Sequence, residues 1–401
     1  MKKILFIINT MGRAGAETAL IELLRKFTEY KGYQIDLFVM LPQGELFSRI
    51  PDGVRVLNKK VSYESVLSSK GRVKTIGCIA KKFFYNLTGF RLLGYFFSNF
   101  YEQMKMKRFQ PDKLLWRLIS DGTPPPNEQY DLAVAYLEGA STYFAADKVS
   151  AKHKVAFIHI DYIMAGYTQK LDRGCYESID RIFTVSKEVG SQFLKVYPQY
   201  ENKISIFHNF LDVDGIRKKA ELGKAFDDDY TGVRLVTVGR LHYQKGYDIA
   251  IKALKLMVDA GRNIRWYVLG EGPERATLER QISDCGLKER FILLGVKDNP
   301  YPYIKQADIY VHATRFEGKS IAVEEAQILG KVIVASDCTG NTEQIIPEYD
   351  GILLSLSSER LASEILRVLD DEQLQKKLSG NVLKKNFYHD EDMQKLISLL
   401  D

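Results

Sequence analysis

Residues 309–336, IYVHATRFEGKSIAVEEAQILGKVIVAS, contain in order a predicted strand, a loop, a helix and a second strand. The apolar residues 309–311 predict the first strand, and the helix is expected to begin at about Ser320. Gly330 is typical of a helix C-terminus, and the β-branched residues 332–334 predict the strand that follows it. A strand, a crossover helix and a second strand in this order predict a parallel βαβ unit.

Two carboxylates lie in this stretch, Glu317 on the predicted loop and Glu325 on the predicted helix. The N-terminus of a helix offers unpaired N–H groups and a partial positive charge, so it suits an anionic ligand. A carboxylate beside that anion would repel it, and its natural partners are therefore hydroxyl groups. Phosphate and hydroxyls together indicate a sugar nucleotide, although the two glutamates alone could also be an acid/base pair.

The same alternation of strand, loop and helix runs through the rest of the chain and predicts two doubly wound parallel sheets, an α/β fold. We expect a first domain at 1–210, to which a C-terminal helix at 388–401 returns, and a second domain at 211–387 that begins in a polar linker region with a short helix. The strands are predicted at 4–8, 35–40, 54–57, 132–137, 155–158, 182–185 and 204–207, and then at 233–238, 266–269, 291–294, 309–311, 332–334 and 352–354.

Composition narrows the class of protein. A length of 401 residues suits two domains, and 45% hydrophobic and 27% charged residues are typical of a globular protein. The four cysteines lack C-x-x-C spacing, which argues against a zinc site or disulfide framework and fits a reducing compartment. The apolar start of the chain is too short for a signal peptide, and no run approaches a membrane span of about 20 residues. We therefore expect a cytoplasmic protein, either free or peripheral on the membrane.

The positive charge is concentrated in residues 59–127, an insertion in the first domain. Thirteen Lys or Arg and three Asp or Glu lie between residues 59 and 117, a local excess larger than the +6 of the whole chain. Nine aromatic residues lie between 83 and 101, in a segment that we expect to be helical. It can be a solvated helix with an aromatic core face, a membrane-surface element or a nucleic-acid site. The aromatic density favours an anionic membrane surface, contacted through 59–118, over nucleic acid.

The candidate ligand-binding residues directly follow predicted strands, and in doubly wound sheets ligands lie at the carboxyl ends of the strands. Two such edges facing each other would form one cleft between the domains. For His159 a structural role is as plausible as a functional one. No histidine or cysteine spacing indicates a metal site. The residues after strands are Gly12, Gly15, His159, Arg240, Gly270, Gly272 and Glu317.

Arg240 and Lys245, in the segment GRLHYQKG, follow the first strand of the second domain. Arginine can hold phosphate oxygens bidentately, and lysine supplies a compact charge. A solvated loop is the alternative, but the position after the first strand favours phosphate binding. The segment matches neither G-x-G-x-x-G nor G-x-x-x-x-G-K-[ST], which disfavours a dinucleotide oxidoreductase and a P-loop NTPase.

With these motifs in order, the chain resembles the retaining family 4 glycosyltransferases of the GT-B fold over nearly its whole length, least well at 59–127. Residues 317–325 look like that family's E-x7-E signature. The sequence departs from the pattern where Ser320 replaces a common proline and where Gly15-Ala16 is one glycine short. Other similar motifs are Arg240 with Lys245-Gly246, the turn Gly270-Glu271-Gly272-Pro273, the loop Gly15-Ala16-Glu17 and residues 330–335.

The resemblance implies roles for individual residues in two domains that face each other across a cleft. Arg240 and Lys245 would hold the donor diphosphate, and Gly15 would close over it from the other domain. Glu317 would bind sugar hydroxyls, and Glu325 the ribose hydroxyls. Further implied roles are donor contacts for Gly270, sugar or phosphate contacts for Gly318, Lys319 and Ser320, base contact for Val296, and a position near the transferring sugar for His159.

We therefore expect a metal-independent retaining glycosyltransferase that uses a UDP- or GDP-sugar and a glycan or polyprenyl-linked acceptor. Assembly of cell-envelope or capsular polysaccharide at the cytoplasmic face of the membrane is the expected setting. The catalytic set would be Glu317, His159, Lys245 and Arg240. A sugar-nucleotide epimerase or a phosphorylase on the same fold remains an alternative, and a non-catalytic lipid-binding protein is a more distant one.

Overall fold

The structure is a computed structural model that describes residues 1–66, 68–105, 110–223 and 225–400. The chain forms two compact units, Met1–Phe210 together with His389–Asp401, and Leu211–Tyr388. Each unit is built on its own parallel sheet, with helices on both faces. The predicted α/β class and the two doubly wound, Rossmann-like domains are confirmed.

The first unit contains a seven-stranded parallel sheet in the order β3-β2-β1-β4-β5-β6-β7. Its inner strand β1 is buried because residues 4–8 are apolar without interruption, as expected for a strand covered on both faces. The strand order reverses between β1 and β4, which pair directly. The strands are β1 Lys2–Ile8, β2 Tyr33–Val39, β3 Val54–Val56, β4 Tyr130–Ala135, β5 Ala151–Ile158, β6 Arg181–Thr184 and β7 Ile204–Ile206.

Eight helices belong to the described part of residues 1–210. The basic aromatic insertion is helical, as predicted, and forms α2 to α5; residues 67 and 106–109 of this insertion lie outside the described part. The helices are α1 Gly15–Thr28, α2 Ser69–Phe84, α3 Thr88–Arg91, α4 Leu93–Lys105, α5 Pro111–Asp121, α6 Ala140–Lys148, α7 Gln169–Asp172 and α8 Lys187–Val196.

The second unit contains a six-stranded parallel sheet in the order β10-β9-β8-β11-β12-β13. Strand order reverses between β8 and β11, which lie side by side at the centre. In the core, the Trp266 indole N–H donates to the Thr237 hydroxyl over 3.0 Å, so the largest buried side chain has its polar atom paired. The strands are β8 Val233–Val238, β9 Ile264–Leu269, β10 Phe291–Gly295, β11 Ile309–His312, β12 Val332–Ser336 and β13 Ile352–Leu354.

The polar stretch after residue 210 contains the short helix that the sequence predicts there. This helix, α9, buries Val213 and Ile216 against Ile328 and Phe387 of the second unit. It is amphipathic and packs on one domain, so the helix belongs to the second unit. The helices of residues 211–388 are α9 Val213–Ala220, α10 Tyr247–Asp259, α11 Arg275–Asp284, α12 Tyr301–Gln306, α13 Ile321–Ile328, α14 Thr339–Gln344, α15 Ser358–Asp370 and α16 Glu372–Val382.

The last helix, α17 Asp390–Ile397, packs on the first unit. Met393 and Leu396 are fully buried in the cluster that also contains residues of β1 and α1. The Asp392 carboxylate accepts hydrogen bonds from the His208 backbone N–H over 2.7 Å and from His208 Nδ1 over 2.8 Å. Among the described residues, none of the helices combines the length and the apolar character needed to cross a bilayer.

Candidate active site

The polar residues of the second unit gather where its strand order reverses. The loop after β8 carries Arg240 and Lys245, and the loop after β11 carries Glu317. Because β8 and β11 are neighbours, the two loops leave the same edge of the sheet side by side. In open α/β sheets this reversal point opens a crevice for ligands at the carboxyl ends of the strands.

Backbone contacts hold the two loops together. Gly246 has a φ of 61°, and a Cβ at this position would lie 2.1 Å from the Ala313 carbonyl oxygen, so only glycine fits. The Gln244 side-chain amide donates to the Phe316 carbonyl over 2.8 Å, and the Arg315 backbone N–H donates to the Gln244 backbone carbonyl over 2.7 Å. Lys245 and Glu317 are therefore positioned by their own backbones.

A buried ion pair occupies the junction of the loops. Lys245 Nζ donates to Glu317 Oε2, with 14% and 16% of the two side chains exposed. His312 Nε2, at the end of β11, lies 3.6 Å from the same oxygen, beyond hydrogen-bond distance. The His312 side chain is buried, and its Nε2 has no hydrogen-bond partner among the residues that the structure describes.

Of the two titratable groups next to Lys245, one is charged and one is neutral at neutral pH. Burial alone would raise the pKa of Glu317, but the Lys245 ammonium outweighs it and holds the pKa at about 2. Burial and the Lys245 charge lower the pKa of His312. Glu317 is therefore a fixed carboxylate, unsuited to donating a proton and suited to accepting hydrogen bonds from hydroxyl groups.

Glu325 lies in the second turn of α13, and 8% of the residue is exposed. Its Oε1 accepts a hydrogen bond from the Tyr301 hydroxyl over 3.0 Å. Burial, reinforced by the neighbouring Glu324 charge, raises the pKa of Glu325 to about 7 against the opposing Tyr301 hydrogen bond. Unlike Glu317, this carboxyl group changes charge in the physiological range.

The loop between the two glutamates is fixed by a glutamine. Gln344 on α14 accepts a hydrogen bond from the Ser320 N–H over 2.7 Å and returns one to the Ser320 carbonyl over 2.9 Å. Ser320 is the N-cap of α13. Lys319 Nζ lies 3.6 Å from Glu324 Oε1. Gly340 packs against the backbone of Gly318, since a Cβ on Gly340 would lie 2.0 Å from the Gly318 oxygen. The amides at this helix start therefore have a rigid support.

Three further predicted donor contacts surround this centre within the same unit. The Arg240 side chain is exposed and has no hydrogen bond or ion pair within the described ranges. Gly270 follows β9, and a Cβ on it would lie 2.0 Å from the Gly239 oxygen, so the two turns touch through their backbones. Val296 follows β10 and is 49% exposed.

In the first unit, Gly15 begins α1, as the glycine loop after β1 leads one to expect. The helix has no side-chain cap at Ala14. Glu17, in its first turn, is buried and accepts a hydrogen bond from the Thr10 hydroxyl over 3.1 Å. The Glu17 carboxylate therefore already lies near the positive end of the α1 dipole, and an anion bound at this helix start would lie near the same positive end.

His159 follows β5, and its Nε2 is buried without a hydrogen-bond partner among the described residues. Burial lowers the pKa of His159 to about 3, so the imidazole is neutral at physiological pH. Its backbone N–H donates to Glu138 Oε2 over 3.1 Å. Glu138 is itself buried, and burial raises its pKa. Glu138 and His159 follow β4 and β5, so both lie at the reversal edge of the first sheet, the carboxyl ends of the strands beside the point where the strand order reverses.

Sequence reasoning missed four residues of these centres: Glu138, Tyr301, His312 and Gln344. Glu138 and His312 end or directly follow strands, so the rule that selected His159 could have selected them too. Tyr301 and Gln344 contact Glu325 and Ser320 from separate helices, and neither position carries a signal in the sequence. The pairing of Lys245 with Glu317 was likewise invisible, although both residues were selected.

One further group of possible metal ligands lies in the first unit. Atoms of His208, His389 and Asp392 lie within 4.8 Å of one another. The His208 and His389 rings stack with centroids 4.2 Å apart, and the Asp392 oxygens are bonded to His208 and to the Lys395 ammonium. No spacing in the sequence indicates this group, because His208 is far along the chain from His389 and Asp392. The Lys395 ammonium donates to the Asp392 oxygen that His208 leaves open, so this carboxylate is already paired with a cation.

Residues 224–385 match the family model described as glycosyl transferases group 1. The matched segment lies within the second unit, Leu211–Tyr388. An uncharacterized glycosyltransferase of Methanocaldococcus jannaschii is 24% identical over 55% of this chain and 62% of its own length. The N-acetylgalactosamine-N,N'-diacetylbacillosaminyl-diphospho-undecaprenol 4-alpha-N-acetylgalactosaminyltransferase of Campylobacter jejuni is 26% identical over 50% of this chain and 54% of its own. The chain thus spans between half and two thirds of these relatives.

Among solved structures, HepE of Anabaena in complex with UDP and glucose superposes on all of this chain and 99% of its own, with a TM-score of 0.68 and 17% identity. At 17% identity this similarity is evidence for the fold alone. The GT-B fold of two Rossmann-like domains therefore extends over the whole chain. The loops after β8 and β11, with Lys245 and Glu317, lie inside the matched segment.

Proposed function

We propose that this protein is a retaining glycosyltransferase of family 4 that transfers a sugar from a nucleoside diphosphate sugar to a glycan or lipid-linked glycan. The observation that carries the proposal is the buried Lys245–Glu317 pair at the strand reversal of a group 1 domain. It joins one group suited to phosphate and one suited to hydroxyls. The relatives with named activities act as sugar transferases, which supports the reaction class.

The donor diphosphate would bind Arg240 and Lys245. Arg240 is exposed and can fold over phosphate oxygens, while Lys245 is fixed by its loop. Two unit charges about 4 Å apart interact by about 4 kcal/mol at an effective dielectric constant near 20. Two such cations and the start of α13 would stabilise the charge that develops on the leaving diphosphate. These groups replace a divalent metal in our proposal, which makes the reaction metal-independent.

The sugar and ribose hydroxyls would bind at the two glutamates. Glu317 is ionised, so it can accept hydrogen bonds from the transferring sugar, with the backbone of residues 318–320 beside it. Glu325 would accept from the ribose, and Val296, exposed after β10, would contact the base. Gly270, which follows β9, would let the diphosphate approach the backbone.

The first unit would contribute His159 and Gly15. The Nε2 of His159 is buried and without a hydrogen-bond partner among the described residues, so a substrate hydroxyl could satisfy it. The imidazole is neutral, so it would orient a hydroxyl and supply no charge. Gly15 would bring backbone N–H groups of the start of α1 to a phosphate.

The transfer step in this proposal forms and breaks bonds on one face of the sugar. The acceptor hydroxyl oxygen attacks the anomeric carbon, and the bond from that carbon to the diphosphate oxygen breaks with its electron pair going to the oxygen. The acceptor proton passes to a donor phosphate oxygen, and the configuration is retained. Glu317 does not act as nucleophile or acid, because Lys245 holds it as a paired carboxylate.

We further propose a polyprenyl-linked or other envelope glycan acceptor at the cytoplasmic face of the membrane, reached through segment 59–118. The acceptor of the Campylobacter relative is a diphospho-undecaprenol-linked sugar by its name. The basic and aromatic composition of the segment suits an anionic membrane surface. Assembly of cell-envelope or capsular polysaccharide is the corresponding setting.

A thermal-shift screen across nucleotide sugars tests the donor site directly. A donor present at about 100 times its dissociation constant should stabilise the folded protein by about 2.7 kcal/mol, and an unrelated sugar phosphate should not. The shift should survive EDTA if no metal is needed. Product analysis with the stabilising donor then separates a transferase from an epimerase. Absence of a shift with every UDP- and GDP-sugar would contradict the proposal.

The pKa of Glu325 predicts how donor affinity depends on pH. The ionised carboxylate accepts from two ribose hydroxyls and the protonated form accepts less well, so affinity should rise with pH through about 7. If only the carboxylate binds, the dissociation constant of UDP-glucose should fall about tenfold between pH 6 and pH 8. Titration calorimetry of wild type and Glu325→Gln checks this. The variant should bind more weakly with a flat profile, and an equally steep profile in the variant would assign the dependence to another group.

A further inference from the structure

Helix α4 of the first unit buries two amide side chains beside Tyr95 and leaves large apolar side chains exposed. Its inward face carries Asn99 and Gln103, of which 2% and 4% are exposed. The Asn99 amide donates to the Tyr95 carbonyl over 2.9 Å, and the Gln103 oxygen accepts from the Gln110 N–H over 3.0 Å. The polar groups that would normally face water are therefore used inside the protein.

The outward face of α4 is apolar. Phe97 and Tyr101 are each 72% exposed, and Met104 and Leu93 are 55% and 45% exposed. These residues are spaced by three or four positions, so they form one stripe along the helix. An exposed apolar stripe of this kind is unfavourable in water and marks a surface that another apolar medium covers.

A cationic cavity of about 300 Å³ opens beside the start of this helix. Four cations line it, Arg91, Arg117, Lys148 and Arg173, together with the carboxylates of Asp121 and Asp147. Their charges sum to an excess of two positive charges. The cavity lies at the ends of α3, α5 and α6, away from the reversal edge where Gly15 and His159 lie.

Arg117 is the buried member of this lining. It is 7% exposed, and its Nη2 bonds Asp147 Oδ2 over 2.6 Å, while its Nε lies 3.4 Å from Asp121 Oδ1. Its Nε and Nη1 are buried and have no hydrogen-bond partner among the residues that the structure describes. These two carboxylates hold Arg117 in place, so the exposed Arg91 and Arg173 are the cations that a phosphate entering the cavity can reach.

The cavity and the apolar stripe are parts of one surface. Arg91 and Leu92 line the cavity, and Leu93, the next residue, begins the stripe. On the inward side, Arg173 at the cavity stacks 4.4 Å from the Tyr95 ring of α4. A molecule with a phosphate and an acyl chain joined to it could therefore occupy both at once.

We propose that this surface binds the phosphate headgroup of an anionic membrane lipid, with the α4 stripe inserted among the acyl chains. The proposal deepens the membrane contact put forward above for segment 59–118 by assigning its lipid and its residues. The net positive charge of the cavity suits an anionic headgroup, whereas the stripe needs an apolar cover that a free phosphate ion would not supply.

Vesicle co-sedimentation with four proteins tests the assignment, using phosphatidylcholine vesicles with and without phosphatidylglycerol. Arg91→Gln/Arg173→Gln removes two cations at the cavity and leaves buried Arg117 in place. Lys70→Gln/Lys81→Gln is the matched control, because it removes two exposed charges from α2 that do not line the cavity. Phe97→Ser/Tyr101→Ser tests the stripe.

Wild type should prefer the anionic vesicles. The cavity variant should lose affinity for them at least ~10-fold beyond the control, the scale of charge-assisted hydrogen bonds. The stripe variant should bind both vesicle types more weakly. Equal losses in the cavity variant and its control would overturn the proposal, as would absence of vesicle binding by wild type. A free anion as the ligand is the other outcome that would overturn the proposal. In that case inorganic phosphate would raise the melting temperature of wild type but not of the cavity variant, and the cavity variant would bind vesicles as wild type does.

The same samples separate this proposal from the donor site. Arg91 and Arg173 belong to the first unit and Lys245 and Glu317 to the second, so the thermal shift produced by the nucleotide sugar should be unchanged in the cavity and stripe variants. A wild-type protein that binds vesicles as expected but is stabilised by no nucleotide sugar would refute the donor proposal alone.

Discussion

Replacement of Lys245 by alanine should lower kcat/KM about a thousandfold. Loss of one preorganised group that stabilises the charge of the transition state typically costs ~10²–10³ in rate. Here the change also leaves the carboxylate of Glu317, 16% exposed, without its ammonium partner, so it would repel the diphosphate that should enter beside it. The lost stabilisation and the new repulsion both act on the departure of the diphosphate, so we expect a loss in kcat/KM at the upper end of this range. Initial rates with the donor found in the thermal-shift screen measure it.

Two controls make the Lys245 result specific. Lys305→Ala removes a lysine of the same unit that pairs with Glu221 on the surface, and it should leave kcat/KM unchanged. Circular dichroism and the melting temperature of Lys245→Ala show whether the domain is still folded, since breaking a buried pair can cost about 3–5 kcal/mol. A folded Lys245→Ala protein with wild-type kcat/KM would show that the diphosphate binds elsewhere.

The sheet was predictable because its strands carry their own signal. Uninterrupted apolar runs such as residues 4–8 and 332–334 are typical of strands between two helical layers, and both are strands in the structure. The parallel direction of the strands then follows from the alternation of strands and helices, whereas the strand order is visible only in the structure. The sequence could also single out Arg240, Lys245 and Glu317 as candidate ligand-binding residues, because each lies in a loop that follows a strand.

Side-chain orientation was not predictable to the same degree. The composition of residues 93–105 indicates an aromatic helix, but a sequence does not say that Asn99 and Gln103 face inward and Phe97 outward. Hydrophobic periodicity predicts the opposite, because it assigns the apolar face to the core. The orientation depends on contacts with Gln110 and Tyr95 that form only in the folded protein.

The charge states of the two glutamates also depend on distant neighbours. Glu317 and Glu325 look equivalent in the E-x7-E pattern, yet the pKa of the first is held at about 2 and that of the second is raised to about 7. The difference arises because Lys245 contacts only Glu317, and burial with a tyrosine contact governs Glu325. Equal spacing in the sequence therefore conceals a binding group of fixed charge and a group that titrates.

Substitution of Gly340 by alanine should abolish most activity from a position with no proposed substrate contact. A Cβ at residue 340 would lie 2.0 Å from the Gly318 carbonyl oxygen and 2.9 Å from that of Glu317. Both atoms are backbone, so no side chain can turn aside, and the loop that carries Glu317 must move. A displacement of about 1 Å in a positioned group can cost ~10²-fold in rate. We expect kcat/KM to fall at least that far, with a stability loss of about 1–3 kcal/mol from overpacking.

Gly380→Ala is the matched control, because a Cβ on this α16 residue would meet no atom within 4 Å. Alanine there should raise the free energy of unfolding by about 0.5–1 kcal/mol through its helix preference and leave activity unchanged. The comparison separates loop displacement from general effects of adding a methyl group. If Gly340→Ala kept wild-type kcat/KM while its melting temperature fell, the position of the Glu317 loop would not matter for transfer, and Glu317 would lose its proposed role in holding the sugar.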